Sequence, residues 1–190
     1  GYTPSTLILD APYVVDQGPG LPKWKPANYT KEFYGLNTMR TGIEKSRNLM
    51  TVRLANKIGM KNILKVAKDF GLGENINEQL SMSLGSGLVS LIDITNAYAI
   101  IANGGIKTTP KIINSIYSKE GKNIINTNLK NCLNCKISEI KNIKNIPKIT
   151  KNIKYSIDPK IAYQITSMME GVVKRGTARK LQDLNVPIAG

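Results

Sequence analysis

The residues whose types and spacing could do chemistry form a polar triplet, Ser46, Arg47 and Asn48, inside the amphipathic stretch 41–59. A serine hydroxyl can donate or accept a proton, and an asparagine side chain offers both an amide donor and a carbonyl acceptor. The apolar spacing places Ser46 seven residues after Met39, at the joint between two predicted helices. We therefore predict that Ser46 turns towards the core. The alternative is that Ser46 caps the second helix while Asn48 satisfies a turn.

The chain contains no histidine among its 190 residues. That composition excludes a Ser-His-Asp or Cys-His nucleophile and disfavours a zinc site. Proton transfers would have to use Lys, Ser, Tyr or carboxylate groups. We predict no cofactor and no metal site.

One Cys-x-x-Cys pair, Cys132 and Cys135, lies in a stretch rich in Lys and Asn. A redox motif would need a strand-to-helix setting, and a zinc site would need a second pair. The sequence indicates neither. The pair is predicted to be a local disulfide or two incidental thiols.

The formal charge is +14, from 27 Lys and Arg against 13 Asp and Glu. Such a charge suits nucleic acid, or an anionic membrane surface or cell-wall polymer. It also follows from a bias towards Lys, Asn and Ile. The basic residues lack interleaved aromatic residues that could stack on bases, and nucleic-acid motifs are missing from the sequence. We favour the compositional bias and predict no nucleic-acid partner.

Two helices are predicted to flank the triplet. Thr38 is the expected N-cap of the first helix, and Met39 and Ile43 form its inner stripe. The second helix follows the triplet, with Leu49, Val52 and Ile58 facing inward.

Three further helices are predicted from their ends. One stops at Gly71. Another begins after Ser90, whose spacing to Asp93 resembles a capping box, and stops at residues 103–105. The last opens with Asp158 as cap and a proline at its first position. The inner stripes of the last two helices are predicted to be Ile94, Ala97, Tyr98 and Ile101, and Ile161, Ile165, Met168 and Val172.

The middle of the chain shows shorter patterns. Residues 109–126 predict two strands around a turn at Glu120 and Gly121. A Lys/Asn-rich variable insert is expected around residues 120–155. Helices early, strands in the middle and a helix late indicate an α+β fold.

Three stretches resemble the transpeptidase domain of the class A penicillin-binding proteins, which are bifunctional peptidoglycan synthases. They are LPKWKPANYTKEFYGLNTMRTGIEKSRNLMTVRLANKIG, LGSGLVSLIDITNAYAIIANGG and ITSMMEGVVKRGTARKL. The first contains a Trp-x-Pro-x-Asn-Tyr signature at 24–29 and the only Ser-x-Asn of the chain. The resemblance implies part of the serine β-lactamase/transpeptidase-like fold, a helical subdomain with an incomplete antiparallel sheet. Residues 1–190 would then form a single, partial transpeptidase domain.

The family performs covalent serine catalysis with three motifs, Ser-x-x-Lys, Ser-x-Asn and Lys-[Ser/Thr]-Gly. The resemblance makes Ser46 and Asn48 the catalytic residues of the second motif. Ser46 would relay a proton towards the leaving amine, and Asn48 would bind a backbone amide of the substrate and orient the family's lysine. Arg47 would point elsewhere.

The other two motifs are not in their expected places. No Ser-x-x-Lys lies upstream of Ser46, and the sequence has no Lys-[Ser/Thr]-Gly. The segment Arg175-Gly176-Thr177 has the wrong order and in the family precedes the third motif. The resemblance therefore implies an internal piece of a transpeptidase that is inactive alone.

The resemblance also implies partners and a location. The parent protein would be a serine-type D-Ala-D-Ala transpeptidase acting on peptidoglycan stem peptides. Its complete domain would bind β-lactam antibiotics. It would be anchored in the cytoplasmic membrane, with this domain on the periplasmic or extracytoplasmic face. The isolated piece would expose sheet edges and could self-associate.

Two other functions remain as alternatives. The first is a penicillin-recognising hydrolase, either a carboxypeptidase or an enzyme resembling a β-lactamase. The second is a non-catalytic cell-wall-binding module whose basic surface meets anionic polymers.

Overall fold

The computed structural model describes residues 1–16, 18–20, 22–72, 76–126, 132–133, 148–149 and 153–190. The chain divides into two compact units, one formed by Gly1–Ile106 with Tyr155–Gly190 and the other by Lys107–Lys154. The described residues combine helices with two-stranded antiparallel sheets. The predicted α+β class is confirmed.

Among its described residues, the first unit contains two strands, five helices and two 3₁₀ helices. In chain order they are β1 (Leu7–Asp10), β2 (Gly35–Thr38), α1 (Met39–Glu44), α2 (Asn48–Ile58), α3 (Met60–Asp69), a 3₁₀ helix at Leu80–Leu84, α4 (Leu91–Ala102), α5 (Pro159–Lys174) and a 3₁₀ helix at Arg179–Leu184.

The strand β2 runs directly into α1. β1 and β2 pair antiparallel, from Leu7 opposite Thr38 to Asp10 opposite Gly35. Thr38 is the last residue of β2 and the N-cap of α1, because its side chain accepts a hydrogen bond from the backbone of Thr41. The predicted cap is confirmed. This cap fixes where α1 begins and therefore where its far end reaches Ser46.

One part of the core of this unit is formed by the buried residues of α2. Leu49 and Val52 are both fully buried, and Met50 and Ala55 lie beside them. α2 packs against β1, α1, α3 and the first 3₁₀ helix, while α1 packs against α5. The prediction that Leu49 and Val52 face inward is confirmed. The triplet is thus held between a helix anchored in the core and a short helix anchored on α5.

The caps of α3, α4 and α5 match their predicted positions. Phe70 is the C-cap of α3 and is followed by Gly71 in the left-handed conformation. Ser90 caps α4 through the backbone of Asp93, and Asp158 caps α5 with Pro159 at its first position.

Two predicted stripes are wrong in part. On α4, Tyr98 is 53% exposed, while Ile100 is buried against Phe70 and Ala97. On α5, Ile161 is half exposed, and the small residue Ala162 is fully buried in its place. Both helices have apolar residues on more than one face, so periodicity alone could not select the face that packs.

The second unit holds the short strands. They are β3 (Ser115–Tyr117), β4 (Asn123–Asn126), β5 (Cys132–Leu133) and β6 (Lys148–Ile149). β3 pairs antiparallel with β4 around a turn in which Gly121 has a positive φ. The predicted hairpin is confirmed. Cys135 lies outside the described residues, and so does the predicted pairing of Cys132 with Cys135.

Among the described residues, the helices are all too short or too polar to cross a membrane.

Candidate functional site

Ser46 lies in the turn between α1 and α2. It is exposed and has a left-handed backbone, with φ of 52°. The backbone amide of Ser46 donates to the carbonyl of Ile43 at 3.1 Å, and that of Arg47 donates to the carbonyl of Gly42 at 2.8 Å. The prediction that Ser46 turns towards the core is wrong. α1 ends at Glu44, so helical spacing no longer applies at Ser46, and the positive φ directs the chain into the turn.

The alternative reading of Ser46 as a helix cap is also wrong. The N-cap of α2 is Arg47, and α2 has no side-chain capping bond. Within the described part of the chain, the Ser46 hydroxyl has no hydrogen-bond partner in the protein. It is therefore available to a ligand.

Ser46 and Asn48 line the same cleft, which has a volume of about 470 Å³. Its remaining walls come from the loop before β2, from the turn itself and from the end of α5. They are Asn28, Tyr29, Thr30, Lys45, Arg47 and Thr177. The structure thus brings the two predicted site residues together.

Asn48 is the first residue of α2, and its side chain is oriented by the loop. Its Nδ2 donates to the carbonyl of Ala27 at 2.9 Å. Only the amide nitrogen can donate to a carbonyl, so this bond distinguishes the two ends of the side chain. The Oδ1 is the atom that remains to accept a hydrogen bond from a bound molecule.

Asn28 connects the loop to the two elements beneath it. It is 4% exposed, and its Nδ2 donates to both carboxylate oxygens of Asp10, at 2.8 and 3.1 Å, and to the carbonyl of Glu32 at 3.0 Å. Its Oδ1 accepts from the backbone amide of Leu49 at 3.3 Å. Asp10 itself is fully buried at the end of β1. Asn28 therefore fixes the loop, the strand and the start of α2 in one arrangement.

Arg53 strengthens the same junction from α2. Its guanidinium donates to the carbonyls of Leu9, Ala11 and Pro12 at 3.1 to 3.3 Å. It also lies over the ring of Tyr13, 4.5 Å from the centroid. These contacts hold the end of β1 and the chain after it against α2.

Two cationic residues line the cleft, and one of them is Arg47, which the resemblance had implied would point elsewhere. The guanidinium of Arg47 lies over the ring of Tyr34, 3.3 Å from the centroid. The ammonium of Lys45 donates to the carbonyl of Arg175 at the end of α5. The described residues that line the cleft include no carboxylate. This balance of charge favours an anionic or strongly polar ligand.

An ion pair joins α1 to α5 behind the turn. Glu44 is 5% exposed, and its carboxylate accepts two hydrogen bonds from the guanidinium of Arg175. The hydrogen bond to Glu44 and then its charge raise the pKa of Arg175 above its ordinary value. The carbonyl of Glu44 also accepts from the backbone amide of Thr177 at 3.2 Å. The end of α5 is thereby held against the Ser46 turn.

A larger pocket of about 570 Å³ lies along α5 and residues 186–189. Its polar side chains are Thr166, Glu170, Lys174 and Gln182, and it holds neither a serine nor an asparagine. In the described part of the chain, His, Cys, Asp and Glu nowhere gather in threes that could hold a metal ion. The cleft at Ser46 is therefore the candidate site.

The sequence matches one family model over residues 2–190, described as the penicillin binding protein transpeptidase domain. The chain belongs to this family. The match covers all three stretches on which the resemblance rests, and it includes every residue of the cleft.

Curated relatives agree with the family. Penicillin-binding protein 1A of Rickettsia bellii is 43% identical over 191 residues, which cover 100% of this chain and 24% of that protein. Penicillin-binding protein 1A of Neisseria meningitidis serogroup A is 29% identical over 181 residues, covering 94% of this chain and 21% of that protein. The chain thus spans about a quarter of the length of the curated relatives it matches.

Solved structures confirm the fold. Penicillin-binding protein 1A from Haemophilus influenzae superposes with a TM-score of 0.77 at 24% identity, covering 96% of this chain and 30% of that chain. PonA1 from Mycobacterium tuberculosis in complex with penicillin V gives 0.70 at 18% identity, with 91% and 43% covered. The predicted transpeptidase-like fold and the resemblance to class A penicillin-binding proteins are confirmed.

Sequence reasoning identified Ser46 and Asn48 but missed the other residues that build the cleft. Asn28 and Thr177 lie inside stretches that resemble the family, so those stretches were the available signal. Glu44 and Lys45 also lie inside the first of those stretches. Their own pattern did not single them out, because a charged pair before a polar triplet looks like an ordinary solvated helix end.

Proposed function

We propose that this chain is part of a serine-type D-Ala-D-Ala transpeptidase that cross-links peptidoglycan stem peptides through an acyl-serine intermediate. The main support is the cleft in which Ser46, Asn48 and Thr177 converge, in a chain that belongs to the transpeptidase family. Curated relatives named Penicillin-binding protein 1A support the same function.

Ser46 is proposed to relay a proton. In such a reaction a nucleophilic serine outside this chain's Ser-x-Asn motif attacks the donor carbonyl, and the terminal D-alanine leaves as an amine. The leaving nitrogen needs a proton as its bond to carbon breaks. The exposed Ser46 hydroxyl, which is not engaged by the described protein groups, can pass that proton from the family's lysine to the nitrogen.

Asn48 is proposed to bind substrate. Its Nδ2 is held by the carbonyl of Ala27, so its Oδ1 can accept from a backbone amide of the stem peptide. Asn48 is also proposed to orient the lysine of the family's Ser-x-x-Lys motif. Lys45 and Arg47 complement the carboxylates of a stem peptide, and a β-lactam carries a carboxylate of the same charge.

The whole protein is proposed to act in peptidoglycan synthesis at the extracytoplasmic face of the cytoplasmic membrane, to which it is anchored. A glycosyltransferase activity elsewhere in the protein is part of this proposal. Within the 190 residues, Ser-x-Asn is the motif of the three that stands in its expected place. We therefore propose that these residues alone are inactive, and their self-association stays a prediction.

Labelling with a fluorescent penicillin tests the proposal. The full-length product of the gene that encodes this chain should form a stable covalent adduct, whereas the 190 residues alone should form none. Ser46→Ala in the full-length product should slow adduct formation. Ser115→Ala, at an exposed serine of β3, is the matched control and should not.

Two outcomes would contradict the proposal. Stable labelling of a serine in the 190 residues alone would refute the proposal that these residues are inactive by themselves. Rapid turnover of the adduct by the full-length protein would instead indicate a hydrolase of the β-lactamase type.

A further inference from the structure

We propose that Glu44 is a positioning residue for the transpeptidase reaction, acting through the turn that holds Ser46. This inference rests on the proposed function. Glu44 does not line the cleft, and no part of the Ser-x-Asn motif includes it.

The carboxylate of Glu44 is buried and has cationic partners on two helices. Its side chain is 7% exposed, and it accepts from Nε of Arg175 at 3.1 Å and from a terminal nitrogen of the same guanidinium. Arg40, one turn earlier on α1, lies 3.6 Å from the same carboxylate. Arg40 in turn donates to the backbone carbonyl and hydroxyl of Ser167 on α5. Glu44 therefore joins α1 to α5 at a defined separation.

Two glycines lie where the end of α5 approaches Glu44 too closely to leave room for a side chain. A Cβ at Gly171 would lie 1.9 Å from Oε1 of Glu44, and one at Gly176 would lie 2.1 Å from its carbonyl oxygen. Neither glycine has a positive φ, so space and not backbone conformation excludes a side chain. Any residue larger than glycine would push α5 away from the turn.

The contacts of Glu44 also hold two parts of the cleft lining, the Ser46 turn and the segment that contains Thr177. Ser46 follows Glu44 by two residues, and Thr177 donates its backbone amide to the carbonyl of Glu44. Lys45 reaches across to the carbonyl of Arg175. Ser46 holds a left-handed conformation that an L-residue rarely adopts, so its position depends on these surrounding contacts. Loss of the Glu44 charge would let the Ser46 turn move relative to Thr177.

A second ion pair provides the matched control. Glu170 and Lys174 lie 3.1 Å apart on the surface of α5, at positions i and i+4 of one helix. This pair resembles the Glu44 pair in chemistry, but among the described residues it lies within one helix and joins no second element. Glu170→Gln removes the same charge without touching the turn.

The test measures acylation of the full-length gene product by a fluorescent penicillin. Three quantities are recorded for each protein: the fraction of molecules labelled, the rate constant of labelling at saturating penicillin, and Tm. The proteins are wild type, Ser46→Ala, Glu44→Gln, Glu44→Ala and Glu170→Gln. Glu44→Gln has the shape of the native side chain, but it places an amide donor against the Arg175 guanidinium, and it keeps the test informative if Glu44→Ala does not fold.

We expect the saturating rate constant to fall about tenfold in Glu44→Gln and up to about a hundredfold in Glu44→Ala, since small displacements of catalytic groups have effects of this order. Glu170→Gln should match wild type. A lower labelled fraction or Tm with a wild-type rate constant in Glu44→Gln would overturn the inference, because it would show a structural role alone. Absence of labelling in wild type, or a wild-type rate in Ser46→Ala, would instead refute the proposed function itself.

Discussion

Removal of the Asn28 side chain should destabilise the chain more than any exposed asparagine substitution. Asn28→Ala removes the hydrogen bonds to Asp10, to the carbonyl of Glu32 and from the amide of Leu49. It also leaves the Asp10 carboxylate, which is 0% exposed, without the donor that Asn28 provides. The effect should therefore reflect an unpaired buried charge as well as lost hydrogen bonds.

The size of the loss in unfolding free energy follows from the hydrogen bonds that Asn28 makes. Its side-chain amide carries two hydrogens, one shared by the two oxygens of Asp10 and one directed to the carbonyl of Glu32. A hydrogen bond to a charged group contributes about 1.5–3 kcal/mol, and each neutral bond contributes about 1 kcal/mol. With the bond to Leu49 included, Asn28→Ala should lower the free energy of unfolding by about 4 kcal/mol. That is a large part of the roughly 5–15 kcal/mol that stabilises a typical domain.

Urea unfolding of the 190-residue chain, followed by circular dichroism, measures this difference. Asn56→Ala is the matched control, because Asn56 is exposed and its amide makes one hydrogen bond, to the hydroxyl of Tyr13. Its change should stay within about 0.5 kcal/mol. Asp10→Ala combined with Asn28→Ala should destabilise by less than the sum of the single changes, since the orphaned charge is gone. A loss below about 1 kcal/mol for Asn28→Ala would refute the reasoning.

Three further changes are measured in the same way. Ser46→Gly should raise the free energy of unfolding by about 1 kcal/mol, because glycine adopts the positive φ of this turn without strain. Ser46→Ala should not raise it. Equal effects of the two changes would show that the backbone of Ser46 is not strained. Gly171→Ala should lower the free energy of unfolding by about 2–4 kcal/mol, because the added Cβ meets the Glu44 carboxylate. In Gly42→Ala the added Cβ meets only the flexible side chain of Met50, so the free energy of unfolding should change little. Similar losses in both variants would contradict the close packing of Gly171 against Glu44. Asp158→Ala should cost about 1 kcal/mol as the loss of a helix cap, and no loss would show that the cap is not needed.

Local signals predicted the helix ends well. Thr38, Ser90 and Asp158 each cap a helix through their own side chains, as predicted. Such caps depend on residues within three positions of one another, so the sequence contains the whole interaction. The hairpin around Gly121 was predictable for the same reason.

The environment of Ser46 could not be predicted from periodicity. Its exposure follows from the end of α1 at Glu44, and the buried carboxylate of Glu44 pairs with the half-exposed guanidinium of Arg175, 131 residues away. Similarly, the junction of Asn28 with Asp10 joins residues 18 positions apart whose pairing no local pattern encodes. Ser46 and Asn48 were identified by resemblance to the family, and their roles in catalysis stay a proposal.

Peptide cross-linking is the measurement that tests the central claim most directly. The full-length gene product is supplied with nascent peptidoglycan, and cross-linked stem peptides are quantified with and without penicillin. The account predicts cross-links in wild type that penicillin abolishes, and a decrease of about 10²- to 10⁴-fold in Ser46→Ala, the range expected when a proton-transfer group is lost. Wild-type cross-linking by Ser46→Ala, or the absence of penicillin-sensitive cross-links in wild type, would contradict it.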